Sequence, residues 1–336
     1  MEAVFILDVI IAYVLDLFFG DPYWFPHPVR FIGWLISRTE KVLRKIIADG
    51  KKLNPEIKTR KERIAGIVLA LFVISVVFSV VYIVLQAAKA INPLLFRIIN
   101  IYFIYSALAT KCLADEALKV YNVLQKGDLI EARKRLSMLV GRQTKNLFED
   151  EVIRGVIETT AENTVDGVIS PLIYAFIGSL FGIGGPLVYA FKAISTLDSM
   201  VGYLNEKYVN FGRASAKIDD LANFIPARLA GLIIPFGAFF SGKSFTRSLI
   251  IMMRDRRNHK SPNSAYPEAA VAGALGVMIG GNNVYFGKII EKPTIGDPIK
   301  ELEAVDIHDT IRIVYASSLV TLFILGIITV VLKILY

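Results

Sequence analysis

Between Arg154 and Arg228 the chain alternates two kinds of sequence that rarely share a surface. Glu158, Glu162, Asn163 and Asp166 run into an apolar, glycine-rich segment. That segment emerges at Asp198 and leads on to Asn205, Arg213, Asp219, Asp220, Asn223 and Arg228. Helical spacings of three and four put Glu151, Arg154, Glu158 and Glu162 on one face, and Asp219 with Asn223 repeats the pattern. Carboxylates and amides beside apolar sequence of membrane grade are costly unless they face a polar cavity or a ligand. The chemistry implied is that of an active site at a membrane surface. Just upstream, ARKRLSMLVGRQT supplies Arg133, Arg135 and Arg142. A solvated basic face is the ordinary reading, and phosphate contact is the chemical one, because a guanidinium matches phosphate geometry.

Long apolar elements must position these groups. Of the 336 residues, 54% are hydrophobic and 20% charged, with a net charge of +8 and a mean hydropathy of +0.53. Soluble domains carry about 25% charged residues, and here the apolar excess falls in blocks. The basic residues lie mainly between those blocks, as in cytoplasmic loops, so nucleic acid is not an expected partner. One cysteine, Cys112, leaves no intrachain disulfide and no thiolate metal cluster.

The expected fold is an all-α polytopic membrane protein, a single membrane-integrated domain over 1–336. About four spans are expected, at 3–19, 64–86, 94–110 and 314–332. The span at 64–86 has no charge in 23 positions. The link at Asn92-Pro93 turns it back as a helical hairpin. Residues 38–63 hold ten Lys/Arg against four Asp/Glu, which assigns that loop to the cytoplasm. The segments 111–163, 198–223 and 241–312 are expected on the same side. Asp128 and Glu131 have capping-box spacing at a helix start. The runs 168–182 and 186–197 are short for spans and are parted by GIGGP. A re-entrant hairpin over 168–197 keeps both polar blocks on one side of the membrane. Residues 224–240, with Pro226 and Pro235, read as a broken or interfacial helix.

Two further stretches carry polar residues of interest. Asp8 and Asp16 lie roughly on one face of the first span and hydrogen-bond into the bundle, with Asp16 also a candidate neighbour of the site. In GDPYWFPHPVRFIGWLI the prolines forbid a regular helix before Pro28. That leaves Asp21, His27 and Arg30 on a stiff polar loop at the bilayer surface, where Trp24 and Trp34 suit the interface. By contrast, GAFFSGKS (237–244) fits the phosphate-loop template but lacks the strand such a loop must follow. It is not read as one, although Lys243 remains a surface cation.

The runs GDPYWFPHPVR, ARKRLSMLVGRQT, ETTAENTVDGVISPL, LDSMVGYLNEKY, FGRASAKIDDLANFIPARL, HKSPNSAYPEAAVAGALG and GGNNVYFG together resemble the CbiB/CobD family of cobalamin biosynthesis, the adenosylcobinamide-phosphate synthases. The similarity extends from about residue 8 to about residue 296. Gln143 departs from it, standing where the family pattern VGRDT has Asp. The resemblance implies a multi-pass enzyme of the cell membrane, its site on the cytoplasmic side. Such an enzyme joins a propionate carboxylate of adenosylcobyric acid to the amine of aminopropanol phosphate or a similar amino alcohol phosphate, consuming ATP. The lipid bilayer and other membrane enzymes of cobalamin assembly are its implied surroundings.

A carboxylate is a poor acyl acceptor until phosphorylation supplies a leaving group. A site for that chemistry needs carboxylates for Mg²⁺, cations for phosphate and a base for the ammonium. Read through the resemblance, Glu158, Glu162, Asp198, Asp219, Lys192 and His27 are the catalytic candidates. Asp21, Arg30, Arg154, Asn163, Asn205, Arg213, Asn223, Arg228, His259 and Asn263 are candidates for substrate and phosphate binding. Glu162, Asp166, Asp219 and Asp220 are candidates for Mg²⁺, with ATP as co-substrate. Lys192 stands out because it interrupts an apolar run, where a lysine must snorkel or find a partner. A transporter of an anionic solute is the competing reading, although no internal inverted repeat accompanies it.

Overall fold

The structure, a computed structural model, describes residues 2–21, 27–48, 54–285 and 288–335. Residues 22–26, with Trp24 and two of the prolines, lie outside the described residues, as do Phe286 and Gly287 of GGNNVYFG; Arg30, expected on a loop, is in the first turn of the helix that begins at Pro28. The chain begins α1 (Glu2–Phe19), α2 (Pro28–Ala48), α3 (Pro55–Ile91), α4 (Pro93–Ala107), α5 (Thr110–Leu124), α6 (Leu129–Leu136) and α7 (Glu149–Thr164). A π-helical turn (Val165–Ile169) joins α7 to α8 (Ser170–Leu180). Then come α9 (Gly184–Val201), α10 (Arg213–Ala222), α11 (Phe224–Phe240), α12 (Phe245–Asp255) and α13 (Ala265–Leu275). Four short strands follow: β1 (Met278–Gly280), β2 (Asn283–Tyr285), β3 (Lys288–Ile290) and β4 (Thr294–Gly296). They pair antiparallel, β1 with β4 and β2 with β3, ahead of α14 (Val305–Leu335). Apart from these two strand pairs, which the sequence does not announce, the protein is all-α.

Among the described residues three helical runs are long and apolar enough to cross a membrane: Pro55–Ile91, Pro93–Leu124 and Val305–Leu335. A fourth qualifies only when α10 and α11 are taken together. Only 28% of the apolar window of α3 and 22% of that of α14 is buried in the protein. Ile67, Leu71, Phe72 and Ile83 on α3, and Phe323 and Val330 on α14, face outward, a surface that suits lipid and not water. At about 1.5 Å per residue α3 is about 55 Å long and outreaches a hydrocarbon core of about 30 Å. α1, with Glu2, Asp8 and Asp16 in 18 residues, is not among the runs that qualify by length and composition.

The chain divides into two compact units, Met1–Leu108 with Pro171–Ala222 and Thr329–Tyr336, and Ala109–Ser170 with Asn223–Ile328. In the first, the α3–α4 hairpin is cut by Asn92, whose Oδ1 accepts from Leu94 N (2.7 Å) with Pro93 at the first helical position. Asp8 of α1 is fully buried and accepts from Arg97 Nη2 (2.8 Å) and Asn100 Nδ2 (3.3 Å). The α8–α9 hairpin turns at Gly182, where φ is +70°. Ile183 N bonds Gly178 O and Gly182 N bonds Ser179 O, which satisfies the last carbonyls of α8. α8 and α9 thus form a helix–turn–helix across the GIGGP break.

In the second unit α13 packs against α7, α11 and α12. Its Ala and Gly residues allow that closeness: a Cβ on Gly273 would collide with the Arg247 carbonyl of α12. Asp128 Oδ1 accepts from Glu131 N (3.0 Å) and caps α6, as its spacing implied. α11 runs unbroken through Pro235. GAFFSGKS is the end of α11 and the start of α12. Gly237 lies against Ser317 of α14, Ser244 caps α12, and Lys243 pairs with Asp309. A helix precedes it, so the match to a phosphate loop is coincidental.

Candidate active site

The acidic face of α7 organises the second unit. Its first turn holds Glu149, Asp150 and Glu151, which favour a helix N-terminus. Glu151 Oε2 accepts from Phe148 N (2.8 Å), so this carboxylate serves the cap. About two turns on, Glu158 is gripped from two sides. Its Oε2 takes Arg142 Nη1 at 2.8 Å, and its Oε1 takes the backbone N–H of Gly280 at 2.8 Å. Arg142 is buried. Gly280 and Gly281 have φ of +83° and +78°, and a Cβ on Gly280 would strike the Pro293 carbonyl. Glycine is therefore required where the loop after β1 turns its amide into Glu158. Arg154 lies 3.8 Å from Glu158 and reaches the Asn282 carbonyl.

Glu162, a further turn along, accepts from Ser264 Oγ at 2.7 Å. Ser264 leads into α13, whose Glu268 is buried in a helix otherwise made of apolar and small residues. Burial pushes the Glu268 carboxyl well above the usual carboxylate range, and Glu162 and Glu158 push it further. The shift is toward the protonated form, which can donate a hydrogen bond. His259 is shifted the other way, first by burial and then by Lys292, against the opposing pull of Glu162 and Glu158. Its Nδ1 lies 3.0 Å from Ser261 N and its Nε2 3.3 Å from Lys292 Nζ. One cluster thus holds two carboxylates on α7 beside an acid and an imidazole that are both shifted toward their uncharged forms.

Other expected residues of this unit have structural partners. Arg228 stacks on Phe224 and Tyr266 and donates to Asn263 Oδ1 (3.1 Å). Asn223 Oδ1 accepts from Ser170 Oγ (2.7 Å). Asn163 Nδ2 donates back to Thr159 O (2.8 Å). The π turn widens the helix from Val165, so Asp166 does not continue the four-residue register of Glu158 and Glu162.

The first unit holds Asp21, His27, Arg30, Lys192, Asp198, Asn205, Arg213, Asp219 and Asp220. His27 Nε2 lies 3.2 Å from Asp21 Oδ1. Lys192 and Asp198 are on α9, and Asp219 and Asp220 on α10, which packs against α9. Gly202 is needed beside Asp198, whose carboxylate occupies the space of a Cβ there. Asn205 Oδ1 accepts from Tyr208 N (3.1 Å) in the turn after α9. Arg213 and Arg30 are exposed.

Among the described residues no three His, Cys, Asp or Glu side chains gather as a cation site. Mg²⁺ takes only one or two carboxylates when substrate phosphates fill the rest of its shell, and Glu162 fits that use. The cluster also contains groups that the sequence did not single out: Glu268, Ser264, Lys292 and the Gly280 amide. Of these only Glu268 leaves a trace, as a lone acid amid small apolar residues in AYPEAAVAGAL.

The family model described as CobD/Cbib protein matches residues 9–314. The cobalamin biosynthesis protein CobD of Geobacter metallireducens is 46% identical over 326 residues, 97% of each chain. That of Clostridium tetani is 47% identical over 313 residues, 93% of this chain and 94% of its own. The cobalamin biosynthesis protein CbiB of Salmonella typhimurium is 44% identical over 315 residues, 94% of each. No solved structure matches the chain. With helices built to span a bilayer and this likeness along nearly its whole length, the chain belongs to the CobD/Cbib protein family and has its role in cobalamin biosynthesis.

Proposed function

We propose that this protein is an ATP-dependent ligase that joins a propionate carboxylate of adenosylcobyric acid to the amine of aminopropanol phosphate, or a similar amino alcohol phosphate. One observation supports it above the rest: Glu158, held by Arg142 and the Gly280 amide, and Glu162, held by Ser264, gather with Glu268 and His259, both of which are shifted toward their uncharged forms. Amide formation from a carboxylate needs both. The carboxylate oxygen attacks the γ-phosphorus of ATP, giving an acyl phosphate and ADP. The ammonium of the second substrate loses a proton, its nitrogen adds to the acyl carbon, and phosphate departs.

In this scheme the His259–Lys292 pair takes the proton from the ammonium, which burial makes easier by keeping the imidazole uncharged. Glu268 donates a hydrogen bond to the carbonyl oxygen as negative charge builds there. Arg142 and the Gly280 amide hold Glu158 rigid, and Glu158 with Arg154 orients the phosphorylated group. Mg²⁺ carried with the nucleotide would be held by Glu162 and would neutralise phosphate charge. Asp198, Lys192, Asp219, Asp220, His27 and Asp21 of the first unit are proposed to serve the same reaction. The basic loop 38–63 supports a cytoplasmic location for this chemistry at the cell membrane.

Purified protein given ATP, Mg²⁺, adenosylcobyric acid and aminopropanol phosphate should yield amide, ADP and phosphate in equal amounts. Solute flux in proteoliposomes without ATP turnover would replace this reading with that of a transporter. Cysteines introduced at 163 and 205 in a Cys112→Ser background should both resist an impermeant thiol reagent added outside intact cells. Labelling of either would contradict the cytoplasmic location.

A further inference from the structure

Beside the carboxylate cluster, wholly within the second unit, lies a cavity of about 950 Å³ that the proposed chemistry has not used. It is walled by α6, the loop that follows it and the start of α7. Arg133, Lys134, Arg142 and Lys145 line it against a single acid, Glu151, whose carboxylate is committed to capping Phe148. Glu149 and Asp150, next along the chain, are outside the lining.

The cations are held in different ways. Arg133 Nε donates to Leu147 O (2.7 Å), which fixes the root of its guanidinium on the loop. Arg142 is buried and anchored to Glu158. Lys145 is exposed and makes no ion pair among the described residues. Beside them the wall turns apolar: Phe148 is 71% and Ile130 79% exposed, a large outlay of apolar surface at a polar rim.

Fixed cations next to an open aromatic face suit a ligand that is part polyanion and part flat ring. Guanidinium and ammonium groups bind phosphoryl oxygens, and an aromatic side chain stacks on a base. The volume lies within the range of small-ligand sites, about 300–1,000 Å³. We infer that this cavity is the nucleoside triphosphate subsite, with the phosphates on Arg133, Lys145 and Arg142 and the base against Phe148. The inference rests on the ATP dependence proposed above and deepens it. Arg142 then touches both the nucleotide and Glu158, so phosphates bound here lie beside the carboxylate cluster.

The test is equilibrium binding to the purified full-length protein in detergent, with Mg-ATP, inorganic triphosphate and aminopropanol phosphate as separate probes. Lys145→Gln and Phe148→Ala alter exposed side chains. Thermal unfolding of each is measured alongside. Lys145→Gln should weaken Mg-ATP and triphosphate alike, about fivefold. Phe148→Ala should weaken Mg-ATP about tenfold, from lost stacking, and leave triphosphate unchanged. Unchanged Mg-ATP affinity in both variants, or weakening confined to aminopropanol phosphate, would overturn the assignment, as would failure of the parent to bind Mg-ATP. The amide assay on the same preparations separates the two claims. Nucleotide bound here without amide product sinks the ligase reading alone, and amide product with affinities unmoved sinks the subsite alone.

Discussion

Asp8 and the α7–α13 cluster are both buried polar sites, built to opposite rules. Asp8 meets one guanidinium, Arg97, and one amide, Asn100. Asn100 in turn accepts from the Gly185 amide (3.0 Å). Each of these bonds is answered within the protein and the charges match one for one. Around Glu162 they do not match: Glu158, Glu162 and Glu268 share Arg142, Arg154, Lys292 and His259, and two of these seven groups are shifted toward their neutral forms. A closed pair holds a fold. A set with a neutral acid and a neutral base near an anion can move protons, and such a mismatch is worth keeping only where chemistry uses it.

Crossed substitutions sharpen the contrast. Glu162→Gln should lower kcat about a hundredfold, the effect of losing one contact made in the transition state, about 3 kcal/mol, with the Tm in detergent nearly unchanged. Arg97→Leu should do the reverse. It leaves Asp8 buried and unanswered at a cost of about 3 kcal/mol, read as a fall in Tm, with kcat in the surviving fraction close to the parent's. If both variants lost activity and stability together, the two sites would not differ in kind.

A smaller effect concerns pH. The folded pKa of Glu268 is raised, so its contribution to stability is full below the unfolded value and is lost as pH rises toward and through the folded one. Glu268→Gln, which copies the protonated form, should therefore gain Tm over the parent as pH rises from 5 to about 8. His259 is shifted down, so kcat/KM should climb with pH on the acid side and fall where Glu268 ionises. In Glu268→Gln the alkaline fall should vanish; its persistence would assign it to another group. Least of all, Lys111→Ala should change stability by under about 1 kcal/mol and leave activity unmoved, since its pair with Asp115 is a partly exposed contact one turn apart on a helix.

The spans were legible because 64–86 and 314–332 carry their signal locally, in uninterrupted apolar residues. The face of Glu151, Arg154, Glu158 and Glu162 was legible because three- and four-residue spacing is a property of one helix. What these side chains meet was not. Ser264 is 102 residues from Glu162, and the Gly280 amide 122 from Glu158. No local pattern reports such distances. Strands of three residues, each set beside glycines and a proline, leave too short an alternation to detect. Asn223 and Arg228 stand out in the sequence because polarity beside apolar sequence marks a polar cavity and a structural hydrogen bond alike, and the sequence does not name their partners. The structure pairs them with Ser170 and Asn263.

The central claim, that a substrate carboxylate is activated by phosphoryl transfer at this site, is met most directly by isotope transfer. Adenosylcobyric acid labelled with ¹⁸O in its reacting propionate is turned over once with excess enzyme, Mg-ATP and aminopropanol phosphate, and the inorganic phosphate is analysed by mass. One ¹⁸O per amide formed should appear in the phosphate, because the carboxylate oxygen that attacks phosphorus leaves with it when the amine displaces phosphate. Amide formed with unlabelled phosphate, or with the label in AMP, would contradict the account.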